Sequence, residues 1–311
     1  MSEPSASSNA PETPVVVVTG ASGFVGARVC AELVERGAEV RAVVRRPGSA
    51  PGLTGLREYV GSFTDPHLAE TVVEGATALV TTVHPMGEDE EAQRTVGVEG
   101  TRTIGTAARD SGVPLLVHVS TAAVYDRSPS CGDVTEASAL VDDDAGAYPV
   151  TKRDADAALA GIEGTTRVLL RPPAILGAGE SSIWNTLRPR DIADDEGERR
   201  DVRARSFAWV HVDDLARLAA DLATGAVAVS QDPEQGPVRH GCTAVNVAAE
   251  PATAEDYLGT VCDALGVEPV WEDGEVWTGR IVADRAHRWG WTPRVDLASA
   301  LAELRRGLAP G

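Results

Sequence analysis

Apolar residues along this chain follow two rhythms. Short β-branched runs, led by Val15-Val16-Val17-Val18, are apolar at every position, as in parallel strands buried on both faces. Between them, apolar residues recur every three or four positions, as at Val25, Val29, Leu33 and Val34, which is the spacing of a helix with one buried face. The first rhythm predicts strands over 15–18, 39–44, 57–60, 78–83, 115–119, 166–170, 209–212 and 244–248. The second predicts a long helix over 92–110, one that Tyr148 begins, and others over 215–222, 254–265 and 297–308, with Asp213-Asp214 capping the helix at 215. Regular alternation of strand and helix holds to Arg171 and then lapses. It implies an α/β fold: a Rossmann-type, doubly wound, mostly parallel sheet with a smaller C-terminal lobe.

The first strand runs directly into Thr19-Gly20-Ala21-Ser22-Gly23-Phe24-Val25-Gly26, and a helix follows. Gly20, Gly23 and Gly26 in that setting suit a turn where backbone approaches a pyrophosphate and a helix N-terminus offers free N–H groups. A purely structural glycine turn is the alternative. The second strand ends in Val44-Arg45-Arg46-Pro47, where an acidic residue would hold the 2′-hydroxyl of NAD. Arg45 and Arg46 instead suit a 2′-phosphate, so NADP(H) is the preferred cofactor and NAD(H) a possible one, unless both arginines are solvated loop charges.

Two further stretches carry chemistry. Ser120-Thr121-Ala122-Ala123-Val124-Tyr125 places hydroxyl groups at the carboxyl end of a central strand, the edge where open α/β sheets bind ligands, although a Ser/Thr pair can also serve local turn amides. Tyr148-Pro149-Val150-Thr151-Lys152 sets a phenol and an ammonium one helical turn apart. A phenol with a pKa near ~10 becomes a usable acid or base when a neighbouring cation stabilises its phenolate.

Together with Arg171-Pro172 and Val210-His211-Val212-Asp213-Asp214, these motifs resemble, in order, the extended short-chain dehydrogenase/reductases, the NAD-dependent epimerase/dehydratase family. The resemblance implies that Thr121 polarises the substrate oxygen, Tyr148 is the general acid/base, and Lys152 binds the nicotinamide ribose and lowers the tyrosine pKa. It adds Ser22, Phe24, Val25, Thr82, Val83, Arg171 and Pro172 to the cofactor contacts. His84, Ala122, Trp184 and Asn185 become candidate substrate contacts, with packing as the alternative for Trp184 and Asn185. Departures from the family pattern fall at Gly61-Ser62-Phe63, where Asp65 could replace a missing aspartate, at Thr82-Val83-His84-Pro85, and at Gly97, which replaces an asparagine.

The implied units are a disordered tail over 1–13, a dinucleotide-binding domain over 14–171 plus about 206–248, and a substrate lobe over about 172–205 plus 249–311. Composition then narrows the partners. A formal net charge of -19 over 311 residues argues against nucleic acid and anionic membranes. Cys30, Cys131, Cys242 and Cys262 are too scattered for a disulfide framework or a metal site, and no apolar run is long enough to cross a membrane, which fits a cytoplasmic protein. The arginines between Arg188 and Arg205 alternate with carboxylates and read as paired surface charge. Arg45-Arg46, and Phe207 where sugar-nucleotide relatives carry an arginine, favour an NADPH-dependent ketoreductase or alcohol dehydrogenase acting on a small, largely uncharged ketone or secondary alcohol. An NAD-dependent nucleotide-sugar epimerase or dehydratase is the alternative, and a non-catalytic NADP sensor a second. The family resemblance allows a monomer or a homodimer.

Overall fold

Parallel strands alternate with helices through the first half of the chain. The computed structural model describes residues 13–83 and 90–309, so the tail expected over 1–13 lies almost wholly outside the described residues, as does His84. β1 (Val15–Thr19), α1 (Phe24–Glu35), β2 (Glu39–Val44), β3 (Leu56–Val60), α2 (Pro66–Val73) and β4 (Ala78–Thr81) come first. They are followed by α3 (Glu90–Arg94), α4 (Thr101–Asp110), β5 (Leu115–Val119), α5 (Ala147–Ala160) and β6 (Thr166–Arg171). The remaining elements are β7 (Ala174–Leu176), α6 (Arg188–Asp194), β8 (Arg200–Asp201), β9 (Trp209–His211), α7 (Val212–Ala223), β10 (Cys242–Asn246), α8 (Thr260–Leu265), β11 (Val270–Trp271), α9 (Asp284–Arg288) and α10 (Leu297–Leu308).

Among the described residues, seven strands form one sheet in the order β10-β6-β5-β4-β1-β2-β3, and every pair in it is parallel. Strand order reverses between β1 and β4, and such a switch point opens a crevice at the carboxyl ends of the strands. The two-residue pleat divides the apolar runs between the faces: Val16 and Val18 pack with α1 and α7, Val17 with α2, α4 and α5. A smaller third core gathers Leu176, Ile192, Trp209, Tyr257, Val261 and Leu304.

Three expectations change. The helix expected over 92–110 is α3, a π-helical turn at Thr95–Gly100 and then α4, and the one over 254–265 likewise opens with a π-helical turn at Glu255–Gly259. α7 is capped by His211, which accepts from the Asp213 N–H at 3.3 Å, rather than by Asp213-Asp214. Asp214 is buried and instead accepts from the Arg294 and Val295 amides at 3.0–3.1 Å, tying down the C-terminal segment. The C-terminal segment expected to form a separate lobe also packs into the main core, through Trp277, Ile281, Ala286 and Trp291.

Behind β5 and β6 lies a buried polar cluster. Arg171, 6% exposed, forms a 3.0 Å ion pair with Asp156 of α5 and donates to the Tyr125 hydroxyl at 2.8 Å. The Tyr125 hydroxyl in turn donates to Asn246 Oδ1 of β10 at 2.9 Å. The side chain of Arg171, expected at the cofactor, therefore pins α5 to the sheet. Removing one partner strands a charge in the core. Asp156→Ala is expected to lower the unfolding free energy by about 3–5 kcal/mol in urea denaturation.

Candidate active site

The switch-point crevice starts from the turn after β1. Gly20 has φ +74, and a Cβ there would meet Thr82 Oγ1 at 2.7 Å; a Cβ on Gly26 would fall 2.1 Å from the Gly20 carbonyl oxygen. Only glycine lets this turn close against the helix. The N-cap of α1 is Gly23, with no side chain bonded to the first-turn amides, so that end of the helix remains available to an anion. Thr82 bridges β4 to β1 by donating to the Thr19 carbonyl at 2.8 Å.

A cavity of about 220 Å³ opens beside this turn, and Gly20, Ser22, Gly23, Arg45, Thr82 and Val83 all line it. Val43 and Val96, which sequence reasoning missed, supply with Phe63 much of its apolar wall. Asp65, offered above as a replacement for a missing aspartate, instead caps α2, its carboxylate accepting from His67 N–H at 3.0 Å. Arg46 is exposed and lies outside the lining, whereas Arg45 belongs to it; neither has an ion pair among the described residues. Phe24 turns away toward Gly177 and Gly179, and Val25 packs against the core. The residues present fit a dinucleotide: a closed glycine turn, an open helix N-terminus, an apolar slot and a cation at its rim.

At the next strand end, Thr121 accepts from the Ala123 N–H at 3.1 Å and shares a hydrogen bond with the Tyr148 phenol. Burial pushes the phenol pKa up, while Thr121 and the charge of Arg127 pull it back. Lys152 is 4% exposed and donates to the Val119 carbonyl at 2.8 Å, so α5 holds its ammonium beneath the tyrosine's edge of β5. Burial pulls this lysine down to about 8, opposed by Asp156.

Thr121 and Tyr148 open into a second cavity, of about 520 Å³. Trp184, Phe207 and Tyr257 form one wall, with Phe207 stacked on Tyr257 at 4.3 Å and Trp184 edge-on to both at 5.2 and 5.4 Å. Of the four expected substrate contacts, Trp184 is here, while His84 lies outside the described residues. Ala122 is fully buried, and its neighbour Ala123 lines the cavity instead. Asn185 does not line it either, because its side chain accepts from Gly177 N–H at 2.9 Å and fixes the π-helical turn at Ile183–Leu187. The missed residues are Arg127, Arg188, Arg205 and Asp201, all in the lining. The arginine tract was read as surface charge, and its carboxylate partners are real: Arg188 pairs with Glu198 at 2.5 Å and Arg205 with Asp201. Mixed charge in sequence conceals which side of a strand each arginine takes.

Residues 20–224 match the family model described as NAD(P)H-binding. The chain belongs to that family. Its resemblance to the extended short-chain dehydrogenase/reductases holds, as does the doubly wound fold. It is 32% identical over 201 residues, 62% of this chain and 56% of the relative, to the 4-hydroxy-2-methyl-3-oxo-4-farnesyl-3,4-dihydroquinoline-1-oxide ketoreductase of Stigmatella aurantiaca. It is 31% identical over 181 residues, 54% of this chain and 50% of the relative, to a 3-beta-hydroxysteroid dehydrogenase of Mycolicibacterium neoaurum. The match thus spans about half the length of these curated relatives. Among solved structures, the UDP-glucose 4-epimerase of Thermotoga maritima superposes with a TM-score of 0.73 at 18% identity, over 94% of this chain and 98% of that one. Among the described residues no helix is long and apolar enough to cross a membrane.

The buried lysine of this site has a measurable cost. Its folded pKa of about 8 lies below the ordinary 10.5, so the protonated form opposes folding at every pH below about 8. That penalty fades as pH rises from about 8 toward 10.5, the window in which the unfolded chain binds the extra proton. Lys152→Met is expected to raise the unfolding free energy at neutral pH by roughly 1–3 kcal/mol, with the gain disappearing in denaturation curves recorded above the ordinary lysine pKa.

Proposed function

We propose that this protein is an NADPH-dependent ketoreductase that interconverts a ketone and a secondary alcohol. The observation that carries the reading is the Thr121–Tyr148 hydrogen bond at the mouth of the larger cavity, one strand from the dinucleotide crevice. Ketone, hydride and one proton give the alcohol. A reduced dinucleotide held with its pyrophosphate at the glycine turn would supply the hydride and its two electrons. Tyr148 gives its phenolic proton to the substrate oxygen, and Thr121, freed from its bond to the phenol, donates to the same oxygen. Proton return from solvent restores the phenol.

The half-buried setting suits the acid role, since a phenol raised by burial stays protonated at neutral pH and can give its proton. Lys152 brings a cation to the same edge, and its position on the Val119 carbonyl leaves further N–H donors for a ribose hydroxyl. The ketoreductase relative from Stigmatella aurantiaca supports this class of reaction. Arg45, in the crevice lining and without a carboxylate partner among the described residues, supports NADPH over NADH. A nucleotide-sugar epimerase is the second reading, favoured by three guanidinium groups around the larger cavity, which could face a diphosphate.

Tyr148→Phe is expected to lower turnover by roughly 10²- to 10⁴-fold while NADPH still binds, as read by NADPH oxidation against a ketone panel. Wild-type turnover in that variant, or UDP-sugar epimerisation on a retained NAD without net ketone reduction, overturns the reading. Arg45→Asp should move preference from NADPH toward NADH by about 10- to 100-fold in kcat/KM, removing a cation from the 2′-phosphate position and adding a carboxylate for a 2′-hydroxyl. Unchanged preference would place the discriminating contact elsewhere.

A further inference from the structure

The larger cavity is charged in a way that the protein as a whole is not. The chain carries a formal net charge of -19, yet this cavity is lined by three guanidinium groups and one carboxylate. Two of the cations are spoken for, Arg188 by Glu198 and Arg205 by Asp201. Arg127 is not: among the described residues it has no carboxylate partner and lies over the Trp277 ring, its guanidinium carbon 5.7 Å from the ring centre. Trp277 is buried and fixed by its own N–H to the Gly132 carbonyl at 2.7 Å, so the arginine rests on a firm platform. Arg127 is exposed on its outer side, and the packing around it and the nearby charge of Arg205 both oppose its ionisation, an effect that an anion between the two guanidinium groups would offset. Arg127 lines the same cavity as Tyr148 and acts electrostatically on its phenol.

The lining also carries an aromatic cluster. The Tyr257 hydroxyl donates to the Trp184 carbonyl at 2.7 Å, and Trp184, Phe207 and Tyr257 contribute a largely aromatic wall. A single unpaired cation in the cavity of the proton donor and an aromatic wall define an amphiphilic anion.

Resting on the ketoreductase reading, we infer that the substrate is a keto acid: its carboxylate meets Arg127, its ketone oxygen lies between Thr121 and Tyr148, and its apolar body packs against Trp184 and Phe207. This replaces the uncharged substrate expected from sequence. It also separates the site from a diphosphate site, because one free guanidinium matches one carboxylate, while the dianion would have to break the pairs at Arg188 and Arg205. Pairing with the carboxylate removes the pull of Arg127 on the phenol, so an arriving substrate keeps Tyr148 protonated for its transfer. In a chain this acidic, a local positive cavity also draws the anion to the one place where it can react.

The test is calorimetric titration of the NADP-loaded protein with aryl- and alkyl-substituted 2-oxo and 3-oxo carboxylates, each beside its methyl ester. UDP-glucose serves as a third ligand. At least one acid should bind roughly 10- to 100-fold tighter than its ester, a ratio that falls toward one in Arg127→Gln and returns in part in Arg127→Lys. Raising the salt concentration should shrink the ratio in the wild type. Esters that bind as well as acids, an acid preference that survives Arg127→Gln, or UDP-glucose as the tightest ligand each overturn the inference. If Arg127→Gln no longer binds NADPH, its fold is lost, and the salt dependence in the wild type decides. Binding is read without turnover. Selective acid binding with no reduction therefore defeats the ketoreductase reading alone, and equal reduction of acid and ester defeats the anion site alone.

Discussion

The ion pair between Arg171 and Asp156 is the constraint on which the reactive edge depends. Arg171 ends β6, Asp156 lies on α5, and their 3.0 Å contact is closed off from solvent. An ion pair in that position gains little over an apolar contact, because desolvation consumes most of the attraction. What it does is fix register. α5 can seat only where the carboxylate meets the guanidinium, and Lys152, one turn before Asp156, is then delivered to the Val119 carbonyl and Tyr148 to Thr121. The same carboxylate opposes the burial that would otherwise discharge Lys152. The Tyr125 hydroxyl and Asn246 extend the network to β10, so three neighbouring parts of the sheet are held to one arrangement.

Around that anchor, irregular backbone supplies the walls. The π-helical turns at Thr95–Gly100, Ile183–Leu187 and Glu255–Gly259 contribute Val96, Trp184 and Tyr257 to the two cavities. A π-helical turn widens one turn of a helix and re-aims its side chains, and such turns recur at functional sites. Rigid parallel strands position the proton-transfer groups, while these turns and the segment entering β9 shape what can reach them. Reaction type and substrate choice thus rest on different parts of the fold.

Strand runs buried on both faces, the Gly20-Gly23-Gly26 turn and the Tyr148 to Lys152 spacing were legible in the sequence because each is a local pattern. A strand has a two-residue pleat, a helix a turn of nearly four, and a closed glycine turn excludes a Cβ whatever surrounds it. Element ends were less legible. Whether a helix starts at Val212 or three residues later depends on the His211 side chain, and a π-helical turn inside a helix leaves the apolar spacing almost unchanged.

By itself, then, the amino-acid order determined the doubly wound architecture, the dinucleotide crevice and the pairing of a phenol with an ammonium on one helix face. Tertiary structure alone decided that the Arg171 side chain ties α5 to the sheet, that Asn185 holds a turn, and that Arg127, Arg188 and Arg205 surround the larger cavity. The reason is distance along the chain. Arg127 meets Trp277, Arg171 meets Asp156 and Tyr125, and Trp184 meets Tyr257 only after the sheet has closed, and no periodicity within a segment encodes which remote segment will face it.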